Sequence, residues 1–317
     1  MKIGIIGTGL IGGSLALALA GNKKYQIYCW NRNPENSKKT IKKTKIAGDF
    51  ETIEELTEEC DVIIIATPLA SYGEITKKIA KKITSCKIIS DIGSVKYEPI
   101  KLALKNLPKK YHKNFVPAHP IAGSEKAGIE AAKEDLFLNK KFIITKTSNC
   151  NRAKTIAKIW HDAGCKIEFL SQKKHDEIYA YVSHYVQFLS FKLEKHFPKN
   201  MGEFSRLMHS PKEIWQEIFK FNSANLKKIN KAYIKQLKAE LKNINDISGA
   251  EESQIMAKFL VENYVDITPN NYLNYSGTGY KSFTSVMLQS NKKNIEASNE
   301  LKKNINKIIH ELEKTKF

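Results

Sequence analysis

The sequence predicts an α/β protein: a doubly wound parallel sheet over residues 1–171, joined to an all-helical C-terminal dimerisation domain over residues 172–317. Three observations carry this. Short apolar strands alternate with helical segments as far as about residue 171. The first strand runs into a glycine-rich turn that opens a helix. Beyond about His175 the strand signals give way to long helical runs.

Taken in order, residues 2–7 (KIGIIG) form a strand, followed by the glycine turn and a helix over 14–20. QIYCW at 26–30 is a second strand. DVIIIA at 61–66 and KIIS at 87–90 are apolar on both faces, as strands covered on two sides must be. Residues 75–83 read as a helix between them, so the connections are crossovers and the sheet is parallel. FIIT at 142–145 and KIEF at 166–169 are expected to extend the same sheet as edge strands. Residues 176–197 can run as one helix stopped before Pro198, with further long helices over 212–241 and 291–314. Their apolar stripes need partners, which points to a homodimer.

Bulk properties exclude several classes. Of 317 residues, 42% are hydrophobic and 27% charged, and no later apolar run approaches the roughly 18 residues that span a bilayer, so no membrane partner is expected. The five cysteines (Cys29, Cys60, Cys86, Cys150, Cys165) are odd in number and never spaced as C-x-x-C, so neither a disulfide framework nor a metal site is expected. That usage suits the reducing cytoplasm. The net charge of +19 suggests nucleic acid, but only Arg32, Arg152 and Arg206 of the 52 basic residues are arginine. Groove readers rely on arginine forks in a concentrated patch. Lysines spread along the whole chain are solvated faces instead, and no nucleic-acid partner is expected.

Residues 4–21 admit two readings. An apolar run ending in Ala-Leu-Ala resembles a secretory signal. The same letters contain Gly7-Thr8-Gly9-Leu10-Ile11-Gly12, the G-x-G-x-x-G of a dinucleotide turn. The strand before it, the helix after it and the second strand about twenty residues on favour the turn, and with it a Rossmann-type domain. Gly7 permits the tight bend, Gly9 the approach of a pyrophosphate, and Gly12 the packing of helix on strand. The free N–H groups of the helix N-terminus then face the phosphates. Where an NAD site places a carboxylate at the end of the second strand, this chain has Asn31-Arg32. An arginine there can pair with a 2′-phosphate, so NADP is favoured over NAD, with dual use open. Thr67-Pro68, ending DVIIIA, is expected to line the cofactor groove.

The substrate side is carried by two further blocks, DIGSVK at 91–96 and HPIAGSEKAG at 119–128. Strand ends are where open parallel sheets bind ligands, and a histidine between Pro117 and Pro120 is an unlikely core segment. With the glycine turn, these blocks resemble the prephenate dehydrogenase family, including its arogenate-using relatives. The similarity continues through His175-Asp176, Val182-Ser183-His184 and Phe204-Ser205-Arg206 with Trp215, covering about residues 1–220. It implies oxidative decarboxylation of prephenate to 4-hydroxyphenylpyruvate. Chemically, His119 suits the base that accepts the C4-hydroxyl proton near neutral pH, and Ser94 can aim that hydroxyl. Arg206 matches the family's substrate-binding arginine, Ser124 a small hydroxyl residue beside the substrate, and His184 a contact to its side chain. His175-Asp176 and Trp215 are assigned to packing at the domain interface.

Two departures stand out. Only Gly202 precedes the Phe204-Ser205-Arg206 segment, where relatives are glycine-rich. A later stretch, Gly277-Thr278-Gly279-Tyr280-Lys281-Ser282-Phe283-Thr284-Ser285, resembles the missing approach but carries Ser285 in the arginine slot. A diverged copy and a chance likeness both account for it. Prephenate and arogenate share the ring carboxylate and hydroxyl, so the choice between them stays open. A β-hydroxyacid dehydrogenase shares the N-terminal turn but lacks HPIAGSEKAG. A dinucleotide-binding protein without turnover is the non-enzymatic alternative.

Overall fold

The computed structural model describes residues 1–124, 126–145, 150–196, 207–243, 252–284 and 299–317. The chain divides into two compact units, Met1–Asp176 and Glu177–Phe317.

The first unit is built on six parallel strands: β1 (Lys2–Ile6), β2 (Gln26–Trp30), β3 (Gly48–Asp49), β4 (Val62–Ile65), β5 (Ile88–Asp91) and β6 (Phe115–Val116). Their order is β3-β2-β1-β4-β5-β6. Ile6 pairs with both Trp30 and Ile65, and Ile65 with Asp91, so these strands end level with one another. Strand order reverses between β1 and β4, and the crevice beyond that reversal is where such sheets bind ligands.

Helices cross between the strands. In α1 (Leu10–Ala20) the buried residues include Gly12, Gly13, Ser14, Leu15, Ala16 and Leu19, and its apolar character is that of a helix enclosed in the core. In α2 (Pro34–Thr44), Asn33 caps the Glu35 N–H, Pro34 occupies the first turn and Lys42-Lys43 the last. In α3 (Ile53–Glu59), Thr52 and Glu55 form a reciprocal capping box. These are followed by α4 (Tyr72–Ile79), α5 (Tyr97–Lys105) and α6 (Cys150–Asp162). The core joins Ile3, Ile5, Ile27, Val62 and Ile64 to Leu15, Leu19 and Trp160. Trp160 stacks on Phe142 at 4.3 Å and takes Phe137 edge-on at 5.0 Å. Burying each such large side chain stabilises the fold by about 1.5–3 kcal/mol.

Residues 142–145 and 166–169 do not extend the main sheet. They lie in β8 (Lys141–Thr145) and β9 (Lys166–Leu170), which pair with each other and with β7 (Ala118–Pro120) in a second, three-stranded sheet. The main sheet already ends in β6. Pro117, with no N–H to give a ladder, separates β6 from β7. Its carbonyl instead accepts from Thr145 N at 2.9 Å. His119 pairs with Ile143 in this second sheet.

The second unit is helical. The expected single helix over 176–197 is interrupted: Gln172–Tyr179 passes through a π-helical turn, Ala180–His184, into Tyr185–Leu193. The expected helix over 212–241 is broken at Asn222 into Lys212–Phe221 and Ser223–Asn243. Glu252–Ile267, Thr278–Thr284 and Asn299–Glu313 follow. Tyr185, Tyr233 and Tyr264 meet ring to ring at its centre, with centroids 5.5 to 6.0 Å apart. Each phenol is satisfied: Tyr185 donates to Asn230 (2.6 Å), Tyr233 to the Leu260 carbonyl (2.7 Å) and Tyr264 to the Tyr181 carbonyl (2.5 Å). Among the described residues, no helix is long and apolar enough to cross a membrane.

Candidate functional site

The glycine turn is a cradle with one open side. Gly7 has φ +91°, a conformation side chains resist, and its N–H donates to the Trp30 carbonyl at 2.8 Å. A Cβ on Gly12 would lie 2.1 Å from the Gly7 carbonyl oxygen, so only glycine lets α1 pack there. A Cβ on Gly9 would meet nothing within 4 Å. Gly9 is also the N-cap of α1 and supplies no side-chain cap, and the first turn carries no acidic residue. The first-turn N–H groups of α1, including those of Leu10 and Ile11, therefore border open space suited to an anion. The residues present fit a dinucleotide pyrophosphate.

Asn31 joins this turn to the end of β2. Its carbonyl oxygen accepts from the Thr8 N–H at 2.9 Å, and its amide nitrogen lies 2.8 Å from the Thr8 hydroxyl and 3.2 Å from that of Ser37. The Thr8 hydroxyl is also 2.6 Å from that of buried Thr40. Asn31 thus holds the turn in shape, a role the sequence reading did not assign to it. Arg32, next along, is exposed. Across the crevice, the Thr67 hydroxyl is 2.8 Å from that of Ser71, and Pro68 is exposed. The Thr67 methyl would meet a Cβ on Gly7 at 2.8 Å, which places Thr67 against the turn.

DIGSVK encodes a buried charge cluster. Asp91, at the end of β5, accepts from Tyr72 Oη (2.8 Å), Gly93 N (2.9 Å), Ala118 N (3.0 Å) and Lys96 Nζ. Lys96 Nζ also donates to the Ala118 carbonyl at 2.5 Å. Burial pulls the Lys96 ammonium down from its ordinary range, against the Asp91 carboxylate that favours the charged form. Burial, reinforced by Asp91, pushes the Tyr72 phenol well up, so it stays a donor. Ser94 lies half-buried in the loop between these two charges.

The partner of His119 is His175. His119 Nδ1 lies 2.9 Å from His175 Nε2, and His175 Nδ1 lies 2.8 Å from Asp176 Oδ1. Asp176 in turn accepts the backbone N–H groups of Lys96 (2.7 Å) and Tyr97 (2.8 Å). Burial, with the nearby Lys96 charge, holds His175 well below the ordinary histidine value of 6.5. Sequence reasoning gave His175-Asp176 only a packing role and did not single out Asp91, Lys96 or Tyr72. The charged ends of DIGSVK, following a fully apolar strand, were the available signal.

Ser124 is exposed, and its hydroxyl accepts from Lys126 N at 3.2 Å. In the helical unit, buried His184 lies at the end of the π turn, with Nδ1 2.9 Å from Asn222 Nδ2 and the Trp215 ring at 6.4 Å. Arg206, with Phe204 and Ser205, lies outside the described residues. Tyr280 and Phe283, from the second glycine-containing stretch, are buried in the helical core, with Phe283 edge-on to Tyr264 at 5.6 Å. Among the described residues, no His/Cys/Asp/Glu cluster could hold a metal ion.

The profile of the prephenate dehydrogenase nucleotide-binding domain matches residues 15–169. A cyclohexadienyl dehydrogenase of Zymomonas mobilis is 26% identical over 264 residues, 74% of this chain and 86% of that protein. A prephenate dehydrogenase of Lactococcus lactis is 32% identical over 191 residues, 60% of this chain and 52% of that enzyme. This chain therefore aligns with about half the length of the Lactococcus enzyme and most of the Zymomonas one. A crystal structure of prephenate dehydrogenase from Aquifex aeolicus, in complex with hydroxyphenyl propionate and NAD+, superimposes with a TM-score of 0.70 at 29% identity. That match covers 77% of this chain and 90% of the other.

Proposed function

We propose that the chain, which resembles prephenate dehydrogenases in its nucleotide-binding domain and beyond it, oxidatively decarboxylates prephenate to 4-hydroxyphenylpyruvate, a step toward tyrosine. The observation that carries this is the presence, in one compact unit, of an open dinucleotide cradle at Gly9 and a braced histidine at His119.

The glycine turn and the N-terminus of α1 hold the pyrophosphate, and Thr67 and Pro68 flank the groove. Arg32 pairs with a 2′-phosphate, which favours NADP over NAD. A bound nicotinamide would supply the acceptor for the hydride of ring carbon C4. His119 takes the proton of the C4 hydroxyl, and Ser94 bonds that hydroxyl and aims it. The ring carboxylate leaves as carbon dioxide, its bonding pair completing the aromatic ring. The protein's remaining task is orientation. Arg206 holds a substrate carboxylate as a bidentate fork, Ser124 borders the substrate, and His184 meets its side chain. The free, scattered cysteines and the apolar-striped helices support action in the cytoplasm as a homodimer.

The test is direct. Purified protein is mixed with prephenate or arogenate and NAD+ or NADP+, and reduced nicotinamide is followed by absorbance. Turnover of prephenate is expected. Turnover of arogenate alone moves the substrate to the amino-acid form, and turnover of neither overturns the dehydrogenase reading.

A further inference from the structure

The side chains behind His119 fix more than its position. Asp176 accepts two backbone N–H groups, one on each oxygen, so its carboxylate is surrounded by donors. A third donor is His175 Nδ1, 2.8 Å from Oδ1. That contact places the His175 proton on Nδ1 and leaves its Nε2 with a lone pair. His119 Nδ1 lies 2.9 Å from that Nε2, so it is His119 that must donate. Burial and the Lys96 charge both favour the neutral His175 ring, which carries a single proton.

We infer that His175 and Asp176 are positioning residues for the reaction, holding the His119 proton on Nδ1 so that Nε2 is the ring nitrogen that acts as base. The inference rests on the dehydrogenase reading for its kinetic consequence but not for its geometry. During reaction the substrate O–H bond breaks and a His119 Nε2–H bond forms. The imidazolium so produced keeps donating through Nδ1 to His175. Neither His175 nor Asp176 gains or loses a proton. The groups that interact with His175 include His119, Asp176 and Lys96.

Two measurements test this. Nitrogen–proton correlation spectra of the histidine rings in the full-length wild type at neutral pH should show His119 protonated on Nδ1 and bare on Nε2. A His119 ring protonated on Nε2 overturns the inference whatever the activity. In kinetics, Asp176→Ala removes the acceptor from His175 Nδ1 and with it the bond that fixes both tautomers. It should lower kcat by about 10²–10⁴-fold with KM changed less than about threefold. His175→Phe should lose a similar factor. His175→Gln, whose amide oxygen can still accept from His119, should recover to within about tenfold of wild type. Equal losses for Phe and Gln, or an unchanged kcat in His175→Phe, overturn the positioning role. A wild type without turnover counts against the dehydrogenase reading alone, and the spectra then decide the tautomer.

Discussion

Asp91 and Lys96 form a fully buried ion pair that holds both backbone polar groups of Ala118, the residue before His119. Asp91 accepts the Ala118 N–H while Lys96 donates to its carbonyl, so the end of β5 and the start of β7 are tied at one residue. Removing one member of a buried pair leaves the other charge uncompensated, a loss of about 3–5 kcal/mol. Lys96→Met should therefore destabilise the protein by that amount in urea unfolding. Adding Asp91→Asn should cost less than the sum of the two single changes, because the stranded carboxylate is gone. Strict additivity would show that the two side chains do not depend on one another.

The glycines of the turn separate folding from binding. A Cβ on Gly12 would run into the Gly7 carbonyl oxygen at 2.1 Å, and backbone cannot swing aside as a side chain can. Gly12→Ala should lower Tm and abolish cofactor binding together. A Cβ on Gly9 meets nothing within 4 Å and φ there is −69°, so Gly9→Ala should keep its Tm. It should nonetheless weaken NAD(P)+ by at least about tenfold, equivalent to 1.4 kcal/mol, by filling the space meant for the pyrophosphate. Calorimetric titration of both variants distinguishes them. Unchanged affinity in Gly9→Ala would move the phosphates elsewhere.

What could be read from the sequence followed physical locality. Strands β4 and β5 were legible because strands buried on both faces must be apolar without alternation, as Val62–Ile65 is. The turn was legible because each glycine answers a local requirement. β7 was not: three residues beside Pro117 and including Pro120 carry no periodicity, so the second sheet was misassigned as an extension of the first. The His119–His175 contact joins residues 56 apart in the chain, and no local pattern encodes it. The break at Asn222 was hidden for a different reason. The helical pattern runs through it, while its side chain reaches 38 residues back to His184.

Cofactor choice should turn on Arg32. The position is exposed, where a guanidinium can meet a 2′-phosphate without disturbing the Asn31–Thr8 bonds that shape the turn. A charge-assisted bond of this kind contributes about 1.5–3 kcal/mol. Arg32→Ala should reduce kcat/KM for NADP+ by roughly 10–100-fold, chiefly through KM, and leave NAD+ within about twofold. Equal effects on both cofactors, or a wild type that strongly prefers NAD+, would remove the assignment.

Acid stability should report Tyr25 and Asp162. The Tyr25 hydroxyl donates to Asp162 Oδ2 at 2.8 Å, linking the residue before β2 to the end of α6. Burial works to raise the Asp162 carboxyl, but Tyr25 and the Lys24 and Lys158 charges outweigh it and hold it below its ordinary 3.8. A carboxyl whose folded value is depressed contributes stability above its unfolded pKa, and that share is lost as pH falls through the folded value. Tyr25→Phe should thus destabilise by about 1–2 kcal/mol near neutrality. The gap from wild type should narrow below about pH 4 as Asp162 protonates. A gap that is constant across that range would mean the loss is one of packing.

Kinetics should divide the two halves of the proposed site by parameter. His119 is proposed to act only as the proton leaves, an interaction made in the transition state, so His119→Ala should lower kcat by about 10²–10⁴-fold with little change in KM. Arg206 is proposed to hold a substrate carboxylate in ground and transition states alike, so Arg206→Ala should chiefly raise KM. Arg206→Lys is the sharper probe. Lysine is the ordinary cation of this chain, and only three of the 52 basic residues are arginine, so charge alone would not call for arginine here. A lysine keeps the charge but not the planar fork, and should recover less than half of the lost binding energy. Full recovery by lysine would show that Arg206 supplies charge and nothing geometric, and an unaffected KM in Arg206→Ala would transfer the anchor to another residue.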